Sequence, residues 1–227
     1  MPIKSLLNLF FPDLCAGCGQ NLVRGEKCIC FSCQMKLAYT DYHKNEENPV
    51  SRLFYGRCSI EQATAMCFYE RGSTIQNLVH QLKYRSRRDV GLFLGRELGK
   101  TLKENPLYEN LDFIIPVPLH KKKEKIRGYN QAEVIVEGLF ETLNLPVATD
   151  VLYRAEFTET QTKKKRWDRY ENVKNMFAIR NPEKIKGKHL LLIDDVITTG
   201  ATIEACAKHL LEVEGVKVSI AGLASSA

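Results

Sequence analysis

No apolar run in this chain approaches the roughly 18–20 residues that a membrane-crossing helix needs, so no membrane span is expected. The first residues, Met1 to Pro12, hold a short apolar stretch and one lysine but no small-residue cleavage site, which argues against a secretory signal. They read as an amphipathic lead-in packed on the body, and cytoplasmic residence is expected. Internal repeats and low-complexity segments are missing, which excludes repeat arrays and compositional disorder. Charge of one sign is not in large excess: the net charge is +6, with 26% charged and 44% hydrophobic residues. That balance suits an ordinary globular protein. Its 227 residues allow one sizeable domain and a small module.

Cysteine is present but uneven. Five of the eight fall between Cys15 and Cys33. Cys15-Ala-Gly-Cys18 and Cys30-Phe-Ser-Cys33 have the spacing of two zinc knuckles, and Gly17 and Gly19 help the first turn tightly. A disulfide framework is disfavoured in a reducing cytosol. We expect zinc on Cys15, Cys18, Cys30 and Cys33, with no open coordination position and hence a structural role. Ligation would supply the folding energy that so short a segment cannot gain from a core. Cys28 is an extra thiol that could replace Cys30, although Cys28 and Cys33 make a poorer knuckle. Cys58, Cys67 and Cys206 read as core thiols. The polar stretch Asp41–Asn48 reads as a linker, which divides the chain into a zinc-binding module with its linker (1–48) and a main domain (49–227).

In the main domain, strand signals at 63–69, 112–116, 176–179, 190–193 and 216–221 alternate with helical patterns. Ile75, Leu78, Val79 and Leu82 make one helical face, a second pattern covers 89–103, and Ala132, Ile135, Leu139 and Leu143 mark a helix that starts near Asn130. Ile203, Cys206, Ala207 and Leu210 mark the last. Alternation of this kind predicts an α/β fold with a mainly parallel sheet flanked by helices. Pro116 and Pro118 should end their strand. Ligands in such sheets sit beyond the strands' carboxyl ends, so loops 116–129 and 194–202 should share one crevice.

The run LLLIDDVITTGAT, Leu190 to Thr202, is the most informative. Leu190–Ile193 suit a buried parallel strand. Thr198, Thr199, Gly200, Ala201 and Thr202 form a hydroxyl-rich turn onto a helix N-terminus, where free N–H groups and the helix dipole favour phosphate. Asp194 and Asp195 would repel a phosphate unless they grip another part of the same ligand, and vicinal ribose hydroxyls fit. The chemistry is that of a sugar-phosphate site. This run resembles the 5-phosphoribosyl-1-pyrophosphate (PRPP) motif of type I phosphoribosyltransferases.

Three basic clusters, Lys83–Arg88, Lys121–Arg127 and Lys163–Arg169, lie near this crevice and favour an anionic ligand, pyrophosphate or a nucleic-acid backbone. Arg127 can grip phosphate bidentately. Asn130 and Gln131 could cap their helix or contact ligand. Thr158–Asn172, with Trp167 (the sole tryptophan) and Tyr170, reads as a polar loop that closes over the site and excludes water.

In order along the chain, CxxC…CxxC, PVPLH…RGYNQ, TxxQ…R…N and IDDVITTGAT resemble the ComF/GntX family of competence-associated phosphoribosyltransferase-like proteins. The resemblance implies a type I phosphoribosyltransferase fold with an N-terminal zinc module. It implies Asp194 and Asp195 on the ribose hydroxyls as the catalytic pair, and residues 198–202 on the 5′-phosphate. Pro118, Arg127 and Lys83 belong to the basic pyrophosphate side, and Gln161, Trp167, Arg169 and Asn172 to the hood loop. It also implies structural zinc, magnesium with PRPP, and a link to single-stranded DNA and the DNA-uptake machinery. Three functions compete: transfer of a phosphoribosyl group to an acceptor that the sequence does not name, single-stranded-DNA binding on the same fold, and PRPP sensing. No residue stands out as a general base.

Overall fold

The computed structural model of the chain describes residues 12–155 and 176–226. Its centre is a four-stranded sheet in the order β1 (Ala63–Phe68), β6 (Lys217–Ser225), β5 (His189–Ile197), β2 (Phe113–Pro116), every pair parallel. Each interior strand is apolar on both faces, as a sheet covered on both sides requires. Leu191 and Ile193 of β5 join the core under α3 (Thr74–Tyr84), α4 (Arg88–Lys103) and α6 (Gln131–Leu143). Leu190 and Leu192 join the opposite core with α7 (Ala201–Leu211) and the short helix α2 (Pro49–Arg52). Alternation along the strand sets this division.

The helices fall where the apolar periods place them. Ser73 caps α3 by accepting from Gln76 N, and Asn130 caps α6 by accepting from Ala132 N. Helices α4 and α6 cross with backbones in contact. A Cβ on Gly95 would lie 2.1 Å from Ile135 O, and one on Gly138 would lie 2.2 Å from Leu92 O. Only glycine permits that approach.

Four expectations change. Residues 119–129 are not simply a loop: Lys121–Arg127 form helix α5, with His120 accepting from Lys122 N and Gly128 closing it at φ 83°. None of its residues is buried, so apolar periodicity gave no signal, and helix-forming Lys, Glu and Arg with two caps suffice. The stretch 41–48 is not a free linker. His43 and Asn48 are buried, and Asn48 donates to Ala63 O of β1 while capping α2. The 176–179 signal is a strand, β4 (Phe177–Ile179), but it stands outside the main sheet and pairs antiparallel with β3 (Leu152–Arg154). Finally, Cys58 is only half-buried, whereas Cys67 and Cys206 are core thiols as expected.

The cysteine segment, which carries the short helix α1 (Phe31–Met35), packs on this body. Cys15, Ile29, Cys33 and Leu37 share a core with Ile75, Leu78 and Val79 of α3. Among the described residues no helix is long and apolar enough to cross a membrane. The lead-in 1–11 lies outside the described residues.

Candidate functional site

Strand β5 runs on through the two aspartates to Ile197, four residues past the apolar run. It can do so because β6 stays paired alongside: Asp194 lies opposite Gly222 and Ile197 opposite Ser225. Alternation then sends adjacent carboxylates to different sides. Asp194 follows Leu192 towards α7, and Asp195 follows Ile193 towards α3. Asp195 N donates to Asp194 Oδ1 at 2.8 Å. Burial, reinforced by the charge of Asp195, pushes the part-buried Asp194 carboxyl up to about 7. Asp195 meets a cation instead: Lys83 Nζ, on the last turn of α3, lies 2.7 Å from its Oδ1.

Past Ile197 the chain turns through exposed Thr198 and Thr199. Gly200, at φ 71°, takes the left-handed conformation that starts α7. A small pocket is lined by Asp194, Val196 and the turn from Ile197 to Ile203. Its lining includes the first turn of α7, whose leading N–H groups have no acceptor within the helix, and Ala201 N donates to Thr199 Oγ1 at 3.5 Å. Two supports of the turn were not read from the sequence. Arg57 donates to Thr199 O at 3.1 Å and pairs with Glu204 on the first turn of α7. Buried Phe54 packs 3.1 Å from where a Gly200 side chain would be. Both come from the irregular stretch after α2, where local pattern carries no hint of a contact made across more than a hundred residues.

On the far side, β2 ends at Pro116, and Val117 N donates to Ile193 O. Pro118 follows, half-buried. Asn130 donates to Val117 O, so its capping role is accompanied by a tie to this turn. Arg127 bonds Gln131 Oε1 and lies 5.4 Å over the Tyr84 ring. Loops 116–129 and 194–202 therefore leave neighbouring strands at the same end. Not every basic residue faces the crevice: Arg87 pairs with Asp89 and Arg88 with Glu137. Tyr129 is buried, with its hydroxyl donating to Leu82 O, so it offers no stacking face. Gln161, Trp167, Arg169 and Asn172 lie outside the described residues, as does the cluster Lys163–Arg169. The segment that carries them springs from the β3–β4 ribbon, where Arg154 lies over Phe177 and Arg180 over Tyr153.

At the other end of α3, the Sγ atoms of Cys15, Cys18, Cys30 and Cys33 lie within 4.8 Å of one another. The donor set fits zinc. Backbone N–H groups of Gly17 and Cys30 point at Cys15 Sγ, and that of Cys33 at Cys30 Sγ, which favours thiolates. Burial opposes this: at Cys15 the amides outweigh it and hold the thiol down at about 7, whereas at Cys33 burial and the hydrogen bonds of the neighbouring thiols push it up. Cys28 is outside the cluster, and burial pushes it up to about 11. Asn77 of α3 holds the knuckle by donating to Gly17 O at 3.0 Å.

Residues 123–226 match the phosphoribosyl transferase domain family. The chain is 27% identical to Competence protein F of Haemophilus influenzae over 224 residues, covering 95% of this chain and 98% of that one. It is 29% identical to the DNA utilization protein YhgH of Escherichia coli O157:H7 over 213 residues, covering 89% and 92%. Competence protein ComFC of Bacillus subtilis is 30% identical over 145 residues, covering 63% and 56%. A parallel sheet whose β5–α7 junction carries the aspartate pair and threonine turn, a cysteine cluster ahead of it, and relatives matched over nearly their whole length lead to one assignment: the chain is a homologue of the ComF proteins with a phosphoribosyl transferase domain and has the type I phosphoribosyltransferase fold.

Proposed function

We propose that the chain binds PRPP with magnesium and transfers its phosphoribosyl group, releasing pyrophosphate. The observation that carries this reading is the β5–α7 junction, where the Asp194 carboxylate, a threonine turn and a helix N-terminus line one pocket, with Asp195 next to it in the strand. The 5′-phosphate would take the N–H groups and hydroxyls of residues 198–202. Asp194 and Asp195 would accept from the ribose hydroxyls. Lys83 and Arg127, beside Pro118, would face the pyrophosphate. Magnesium, when bound with the ligand, supplies counter-charge to the diphosphate.

The acceptor's lone pair forms the new bond at ribose C1 while the bond to the pyrophosphate oxygen breaks, and the pyrophosphate leaves with the electron pair. The chain's work in that step is to orient the donor and stabilise the departing charge. A proton that the acceptor gives up passes to the departing pyrophosphate or to solvent, since no residue of the chain stands out as a general base. Gln161, Trp167, Arg169 and Asn172 would form the hood that keeps water from C1.

Titration calorimetry tests the donor site. Wild type should bind PRPP with magnesium, and Asp194→Asn/Asp195→Asn should bind at least about 10-fold more weakly, since hydrogen bonds to charged groups contribute roughly 1.5–3 kcal/mol each. Absence of PRPP binding by wild type overturns the proposal. A second reading, single-stranded-DNA binding, is favoured by the exposed basic helix α5 and by the names of the relatives. Its mark would be oligonucleotide affinity that falls steeply with salt.

A further inference from the structure

Asp195 has a partner within the chain. Lys83 Nζ lies 2.7 Å from its Oδ1, and the two side chains are only 20% and 14% exposed. This is not a loose surface pair, and separating it leaves a part-buried ammonium unpaired. The backbone under Lys83 is held on both sides. Leu82 is fully buried, and its carbonyl accepts from Tyr129, the residue after the Gly128 cap of α5. The neighbouring residue, Tyr84, lies under the Arg127 guanidinium. Lys83 thus pairs with Asp195 and stands between two residues, Leu82 and Tyr84, that contact Tyr129 and Arg127 at the end of α5.

A ribose hydroxyl that comes to Asp195 must displace the ammonium or share the carboxylate with it. A ligand that also carries a pyrophosphate offers the displaced ammonium a new anion on the α5 side. A ligand with ribose and 5′-phosphate alone offers none there, because its phosphate would be held at the threonine turn.

From this we infer that Lys83 is a partner-exchanging specificity residue, which makes the site select a donor bearing pyrophosphate over the corresponding ribose 5-phosphate. The inference rests on the donor-site reading proposed above. It goes beyond that reading in giving Lys83 two successive partners and two opposite effects. It opposes any ligand that takes Asp195 without replacing the charge, and it favours one that replaces it.

The test is calorimetric titration of the full chain, wild type and Lys83→Met, with PRPP plus magnesium and separately with ribose 5-phosphate. Lys83→Met keeps most of the side-chain stem and removes the charge. PRPP should bind the variant about 10- to 100-fold more weakly, the range of one charge-assisted hydrogen bond. Ribose 5-phosphate should bind it as well as, or better than, it binds wild type. Lys83→Arg, which keeps a cation, should retain the wild-type order of preference, and it covers the case in which Lys83→Met fails to fold. Equal weakening of both ligands would overturn the inference, because Lys83 would then be a plain phosphate contact. Unchanged PRPP affinity would overturn it as well. If wild type bound neither ligand, the donor-site reading itself would fall and take the inference with it, an outcome distinct from the other two.

Discussion

At the scale of single residues, Asp194 is where stability and the proposed function oppose each other. Its carboxyl is pushed up to about 7 by burial and by Asp195, against about 3.9 in an unfolded chain. The folded state therefore holds a proton that the unfolded state has lost. Between those two values stability falls as pH rises, and above about 7 this loss is complete. Asp194→Asn should remove it. In thermal unfolding at pH 5 and pH 8, the variant should gain several degrees over wild type at pH 8 and much less at pH 5, while losing PRPP affinity. A gain equal at both pH values would show that the charge is not what strains the site. Arg57 makes a different prediction. Because it ties Thr199 O to Glu204 across the turn, Arg57→Ala should weaken PRPP binding by about 10-fold, the value of one ionic hydrogen bond. Stability should change little, since the side chain is 39% exposed and exposed pairs contribute roughly 0–1 kcal/mol. The two variants separate a residue of the pocket from a residue that holds the pocket's shape.

At the scale of elements, what could be read in advance depended on whether burial left a period in the sequence. Helices α3, α6 and α7 bury one face and were legible from their apolar spacing. Leu190–Ile193 were legible as a buried strand, and the threonine turn as a helix start. Helix α5 buries nothing, so its lysines read as loop. Strand β5 looked finished at Ile193 because Asp194 and Asp195 are polar, yet pairing with β6 carries it on. That extension sets the aspartates on opposite sides and brings Asp195 to Lys83, a contact that no local pattern encodes. The close crossing of α4 and α6 was equally hidden, because its agents, Gly95 and Gly138, look like weak points in helices. Gly95→Ala should lower stability by about 1–3 kcal/mol or more, the usual cost of overpacking. Here the new methyl would meet a backbone carbonyl of Ile135 that cannot rotate away. Denaturant unfolding checks this, and a midpoint equal to that of wild type would mean that the helices separate at no cost. The proposed PRPP site on the other loops should keep its affinity in whatever fraction remains folded.

At the scale of the whole molecule, the cysteine segment and the sheet are joined by α3. The N-terminal half of that helix receives the first knuckle through Asn77 and Gly17, and its last turn carries Lys83 against Asp195. The buried face between them packs Ile75, Leu78 and Val79 with Cys15, Ile29, Cys33 and Leu37. An independent bead on a string would share no such core. If zinc holds the four cysteines, its loss therefore removes one wall of the core that fixes α3, and not merely a separate module. Metal analysis of the purified chain should find one zinc per molecule, and Cys30→Ser should lower that content. After removal of the metal with a chelator, amide hydrogen exchange should accelerate in residues 12–40 and also in α3. Strands β5 and β6 at the centre of the sheet should keep their protection, because their covering on the other face comes from α7 and does not involve the cysteines. Acceleration confined to residues 12–40 would mean that the segment folds on its own and that α3 stands without it. Acceleration that reaches Lys83 would mean that the metal, through one helix, sets how firmly the donor site's cation is held.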